Sequence, residues 1–171
     1  MVKRSLRKSG KAKVDPDRAS DSSSARAAAI TLLSRRDYAS GELAQKLTAR
    51  GYDASVVSQT VQELVEERAL NDERYAANFV AYHANRGQGS LRIARELREL
   101  ALAEDIIDAA LESGPDWPAL AREVRIRKFG LPAPDDWAEK GRQARFLQYR
   151  GFSSDHIRLA IGPDFDLDES T

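Results

Sequence analysis

A register of 50 residues runs through this chain twice without a gap. Arg50-Gly51-Tyr52-Asp53, Leu100-Ala101-Leu102-Ala103 and Arg150-Gly151-Phe152-Ser153 occupy matching positions. Apolar residues keep the same register around them: Leu47/Leu97/Leu147, Val57/Ile107/Ile157 and Val61/Leu111/Ile161. A period of this length marks stacked supersecondary units, none of which buries its apolar face alone. Between the corners the apolar residues recur at helical spacing, and no window alternates with a period of two. The expected fold is all-α, an elongated array of three tandem three-helix repeats with no sheet. The expected divisions are a tail over 1–20, repeats over 21–69, 70–113 and 114–163, and an acidic tail over 164–171.

Local signals place the helices. Asp21 to Ser24 offer side-chain acceptors for a first helix running to about Arg36. A second follows Ser40, Gly51 supplies a residue suited to positive φ past its end, and Asp53 is the expected cap of the third. Asn71-Asp72, Ser90 and the stretch before Ile106 open the helices of the second repeat. Gly114-Pro115-Asp116, with Pro118 in a first turn, opens the third. The middle corner differs, because Ala101 stands where the others have glycine. Alanine pays a steric cost in the left-handed region, so a different turn or a longer helix is expected there.

Charge narrows the functional classes. Lys and Arg balance Asp and Glu at 27 each, yet residues 1–20 carry a net +5 and the remainder −5. The tail is expected to lack stable structure, serving either solubility or attraction to phosphate and acidic surfaces. With no cysteine there are no disulfides or thiolate metal sites. No run is long enough to span a bilayer, and a cytoplasmic monomer without cofactor is expected. His83 and His156 sit in no nucleophile or metal pattern, and Gly87-Gln88-Gly89 lacks the lysine of a phosphate loop. No enzyme is expected.

The candidate partner-binding residues are cationic. Arg35 and Arg36 fall at the end of the first helix, where they complement its dipole or reach a partner. Arg86 precedes the turn at Gly87. Arg92, Arg95 and Arg98 share a helical face with Glu96 and Glu99, either as a salt-bridged solvated face or as a contact. Arg122, Arg125, Arg127, Lys128, Lys140, Arg142, Arg145 and Arg150 make residues 116–150 the most basic part of the body, and the best candidate for a phosphate-contacting surface. Among the aromatics, core packing is the main expectation, with Tyr149 the candidate for exposure. The starts of the helices after the corners are neutral or acidic, which disfavours major-groove reading.

Four runs resemble one family in order and spacing: Leu33-Ser-Arg-Arg-Asp-Tyr-Ala-Ser-Gly-Glu-Leu43, Leu70-Asn-Asp-Glu-Arg-Tyr-Ala76 with Phe79-Val80, Gly87-Gln-Gly89 with Arg92-Ile93 and Glu96-Leu97, and Arg145-Phe-Leu-Gln-Tyr-Arg-Gly-Phe-Ser153. Over roughly residues 25–162 the chain resembles the RecX regulatory proteins. The resemblance implies a non-enzymatic modulator that lies along the filament of RecA recombinase on single-stranded DNA. It also implies restraint of strand exchange, ATP hydrolysis and co-protease activity. A helical-repeat module acting directly on single- or double-stranded DNA is the alternative.

Overall fold

The computed structural model describes residues 14, 15 and 18–162. Among them are nine helices and no strand: α1 (Ser22–Leu33), α2 (Ser40–Thr48), α3 (Ala54–Glu66), α4 (Asp72–Asn85), α5 (Ser90–Glu99), α6 (Glu104–Glu112), α7 (Trp117–Phe129), α8 (Trp137–Arg150) and α9 (Ser154–Ile161). They fall into three triplets, and in each the third helix packs on both of the others. The chain forms two compact units, one through Asn71 with the first triplet and one from Asp72 with the second and third.

The 50-residue register is a core register. Leu47, Leu97 and Leu147 are completely buried, as are Ile107 and Ile157, with Val57 nearly so. Burying a side chain of this size contributes about 1.5–3 kcal/mol each. Each triplet thereby closes a small core, the first around Leu43, Leu47 and Leu64 and the third around Leu147, Phe152 and Ile157.

The three corners share one geometry, including the middle one. After α2, the Gly51 amide donates to the Thr48 carbonyl at 2.9 Å and the Tyr52 amide to the Leu47 carbonyl at 3.4 Å. Ala101 and Leu102 repeat the pair onto Arg98 and Leu97 at 2.8 and 3.4 Å, and Gly151 and Phe152 repeat it onto Gln148 and Leu147 at 2.8 and 3.1 Å. This is the Schellman closure, which satisfies the last carbonyls of a helix and needs one residue at positive φ. Gly51, Ala101 and Gly151 have φ of 102°, 59° and 89°. Ala101 therefore adopts the left-handed conformation in spite of its methyl, and the expected change of turn does not occur. The residue after each corner, Tyr52, Leu102 or Phe152, is buried, and its apolar packing holds the alanine where it is.

Three local expectations are corrected. The first helix ends at Leu33, leaving Arg35 and Arg36 in the following turn. Asp53 occupies the N-cap position of α3, but its carboxylate makes no cap bond and accepts from the Ser20 hydroxyl at 2.6 Å. The chain before α1 also has defined contacts. The Val14 amide donates to the Arg50 carbonyl at 2.7 Å, the Asp53 amide donates to the Ala19 carbonyl at 3.1 Å, and Val14 packs on the first core. The rest of the expected tail, residues 1–13, 16 and 17, lies outside the described residues, as does the acidic segment from 163.

In the second unit the third triplet meets the second through backbone. The Gly89 amide donates to the Arg150 carbonyl at 2.9 Å and the Leu91 amide to the Gly151 carbonyl at 3.0 Å. A Cβ on Gly89 would lie 2.3 Å from the Gly151 carbonyl carbon, and one on Gly151 would lie 2.2 Å from the Arg92 Cβ. Glycine is required on both sides because the α8–α9 corner sits directly on the start of α5.

Candidate partner-binding surface

Arg86 follows α4, and its guanidinium lies 4.4 Å from the ring centre of Tyr82, one helical turn before it. Arg150 sits at the end of α8, where it lies 5.4 Å over Phe146, four residues earlier, and donates to the Arg86 carbonyl at 3.2 Å. Phe146 meets Phe129 of α7 edge to face at 5.3 Å, and Arg142 lies 5.1 Å over Phe129. The order Tyr82, Arg86, Arg150, Phe146, Phe129, Arg142 is a ridge of cations and rings crossing from the second triplet to the third. Rings hold the guanidinium planes by cation–π attraction, worth about 0.5–1 kcal/mol each where exposed. Beside the ridge is a cleft of about 240 Å³ lined by Arg86, Gly87, Val124, Arg127, Lys128, Phe146 and Arg150. Its floor is apolar and its rim cationic.

The candidate cations do not all join this surface. Lys128 does, and it has no ion-pair partner among the described residues; Arg127 is ion-paired to Glu123. Arg142 is bidentate to Glu139 at 2.8 Å through both Nε and Nη2, which holds the Glu139 carboxyl below its usual range. Arg145 and Tyr149 share its exposed face of α8 at spacings of three and four, and Tyr149 is 79% exposed. Lys140 is half-buried one turn from the start of α8.

Arg125 is a correction. It is only 4% exposed, and its guanidinium donates to the carbonyls of Pro132 and Leu131 at 3.0 and 3.2 Å and to Gln143 Oε1 at 3.3 Å. Desolvation, with Arg122 nearby, depresses its pKa. It ties the α7–α8 loop to the helices and is not available to a partner. Arg122 is exposed and donates to the Leu159 carbonyl of α9 at 3.4 Å.

On α5, Arg92 pairs with Glu96 at 2.9 Å, Arg95 lies 3.8 Å from Glu99, and Arg98 reaches Glu104 at 2.8 and 2.9 Å. This is the salt-bridged reading of that face. In the first unit, Arg36 makes a bidentate pair with the buried Glu42 at 2.6 and 3.1 Å and covers the Tyr38 ring at 3.8 Å. It clamps the start of α2, whereas Arg35 stays exposed.

Core packing is the main sequence expectation for Tyr82 and Phe129, and Phe146 is not singled out for a surface. The signal was in the sequence: an aromatic residue four positions before an arginine occurs at Tyr82/Arg86 and again at Phe146/Arg150, and that spacing puts both on one helical face. The surface groups cations whose planes are held on rings, with Tyr82 and Tyr149 as its exposed aromatics, a chemistry suited to a polyanion or an acidic protein face. Among the described residues no group of His, Asp and Glu could hold a metal ion. His83 is engaged with Gln88 at 2.6 Å, and no helix is long and apolar enough to cross a membrane.

Comparison with known proteins places the chain among RecX sequences throughout the described body. Residues 25–64, 71–111 and 116–161 match the first, second and third three-helix domains of RecX. A regulatory protein RecX of Halorhodospira halophila is 46% identical over 149 residues, covering 86% of this chain and 92% of the relative. That of Vibrio campbellii is 43% identical over 140 residues, covering 81% and 90%. The crystal structure of RecX from Lactobacillus salivarius shares the fold with a TM-score of 0.72 at 22% identity, over 82% of this chain and 94% of that one.

Proposed function

The chain belongs to the RecX family, and on that premise we propose that it regulates RecA by binding the RecA–single-stranded DNA filament and restraining strand exchange, ATP hydrolysis and co-protease activity. The observation that carries this reading is the ridge of rings and cations from Tyr82 to Arg142, with its cleft. It suits a partner that presents phosphates, exposed bases and acidic side chains together, as a nucleoprotein filament does. The mechanism is occupancy. Several weak contacts on one rigid unit add through effective concentration, and a chain lying on the filament obstructs a second DNA and further growth. The protein supplies no reacting group, acts as a monomer and works in the cytoplasm, where its partner works.

RecA ATPase on single-stranded DNA, titrated with this protein, tests the reading. The expected result is a saturable fall in turnover. No change at saturating protein, with a filament responsive to a known inhibitor, overturns it. The rings between the cations favour one second reading, a module that binds single-stranded DNA directly. That reading predicts tight binding to a naked oligonucleotide with a steep salt dependence.

A further inference from the structure

We propose that the loop between α7 and α8 is a preformed protein-docking tip, in which Leu131 enters an apolar pocket on the partner and Arg125 is the positioning residue that holds it out. The identity of the partner rests on the RecA reading above. Within that reading, the tip contacts the protein of the filament and not its DNA.

The tip is stiff before it meets anything. Gly130, at φ 94°, turns the chain out of α7. Leu131-Pro132-Ala133-Pro134 follow. Each proline fixes its own φ and confines the residue before it to extended conformations, so all four positions are restricted by the chain itself. Pro134 is buried and anchors one end. Arg125 anchors the other through the carbonyls of Leu131 and Pro132 at 3.2 and 3.0 Å. This guanidinium is buried, its bonds go to carbonyl oxygens and not to a carboxylate, and its Nε has no hydrogen-bond partner. Desolvating a cation without a counter-charge is costly. What it secures here is the path of three consecutive exposed apolar residues, with Leu131 78% exposed. A scattered exposed leucine needs no explanation, but these residues are contiguous and their backbone is held from beneath. A segment already fixed in its bound shape loses less freedom on association.

The chemistry of the tip selects the partner. From Gly130 to Pro134 no side chain carries a polar group, so nothing there donates to a phosphate. Exposed Lys128 precedes the tip, and exposed Asp135 and Asp136 follow it. A cation on one flank and carboxylates on the other suit a folded protein face, with charges of both signs around an apolar pocket. A strand of phosphates would be repelled by the two aspartates. Phe129, which lies under Arg142, adjoins Gly130, so the tip continues the ridge.

Leu131→Ser tests the contact at a solvent-exposed position, where helix content and the urea midpoint are expected to match the wild type. Inhibition of RecA ATPase on single-stranded DNA is titrated for both chains. Leu159→Ser, at a leucine 58% exposed on α9, serves as the control. The half-inhibition concentration is expected to rise at least about fivefold for Leu131→Ser and less than about twofold for Leu159→Ser. Equal values for Leu131→Ser and wild type overturn the proposal, as do equal losses from the two leucines. Binding to a naked fluorescent oligonucleotide is measured in parallel, with no difference expected between wild type and Leu131→Ser. A matching loss there makes Leu131 a wedge between bases and overturns the protein contact. Arg125→Met keeps an apolar side chain of similar length and removes the buried charge. It is expected to weaken inhibition alone but to add nothing to Leu131→Ser in the double variant. Additive losses overturn the positioning role. A wild-type chain that leaves the ATPase unchanged overturns the RecA reading, and docking on RecA with it. An inhibitory wild type matched by Leu131→Ser overturns the docking role alone.

Discussion

Ala101 holds a conformation that costs an L-residue roughly 1–2 kcal/mol. Its side chain is exposed, so the methyl earns nothing in packing. Ala101→Gly removes the strain and partly offsets the gain with greater freedom of the unfolded chain. The expected outcome is stabilisation of the second unit by about 0.5–1 kcal/mol, read by urea denaturation. A second residue-scale prediction concerns His156, whose Nδ1 is buried without a hydrogen-bond partner. Desolvation lowers its pKa, against the attraction of Asp155 and Asp116. Below about pH 6.5 the unfolded imidazole takes a proton that the folded one refuses, so the unfolded state binds more protons and stability falls as pH falls. His156→Gln is expected to flatten the loss of stability between pH 7 and pH 5; an unchanged slope would exclude His156 as its source. The corners at Gly51 and Gly151 were legible at this scale from glycine and the apolar residue that follows it, whereas the one at Ala101 was not, because the pull of the buried Leu102 outweighs the alanine's steric preference. The role of Arg125 was not, because its partners are loop carbonyls at 131 and 132. Only its position, four after Ala121 and one after Val124 on a buried face, hinted at it.

At the scale of elements, all nine helices were visible as apolar residues at helical spacing between capping and glycine signals. What spacing did not reveal is which cations a helix spends on its own acids. Arg98 is committed to Glu104 across the α5–α6 corner, and Arg36 to Glu42 across the α1–α2 turn. Lys128 and Arg145 have no described ion pair, and Arg142 is held only by an exposed Glu139 pair. Reversing Lys128, Arg142 and Arg145 together to glutamate is expected to weaken inhibition of RecA ATPase by tenfold or more with unchanged helix content by circular dichroism. Reversing the exposed Arg95 is expected to change it less than twofold. Equal effects would move the contact off the ridge.

At the scale of the whole molecule, the repeat count was readable from the 50-residue register, but the division into two units was not. Division depends on how one triplet meets the next, and single positions decide that. Val14 illustrates the difficulty, being a lone apolar residue in a polar stretch with no periodicity to mark it. Its amide meets the Arg50 carbonyl, as the Gly89 amide meets the Arg150 carbonyl 100 residues on. The segment before α1 thus treats the first corner as the start of α5 treats the third, in the way an end cap closes a repeat array. Deleting residues 1–20 is expected to destabilise the first unit by about 1–3 kcal/mol, from the lost hydrogen bonds and the uncovered core edge. Faster amide exchange in α2 and α3, with α4–α9 unaffected, would show it. The joint at Gly89 and Gly151 carries a different consequence. The Gly89 amide and the Arg150 and Gly151 carbonyls meet there directly, so the spacing between the start of α5 and the end of α8 is set by backbone contact. The second unit is then a stiff joint: the α8–α9 corner and the start of α5 hold a fixed spacing that a larger residue at either glycine would force open.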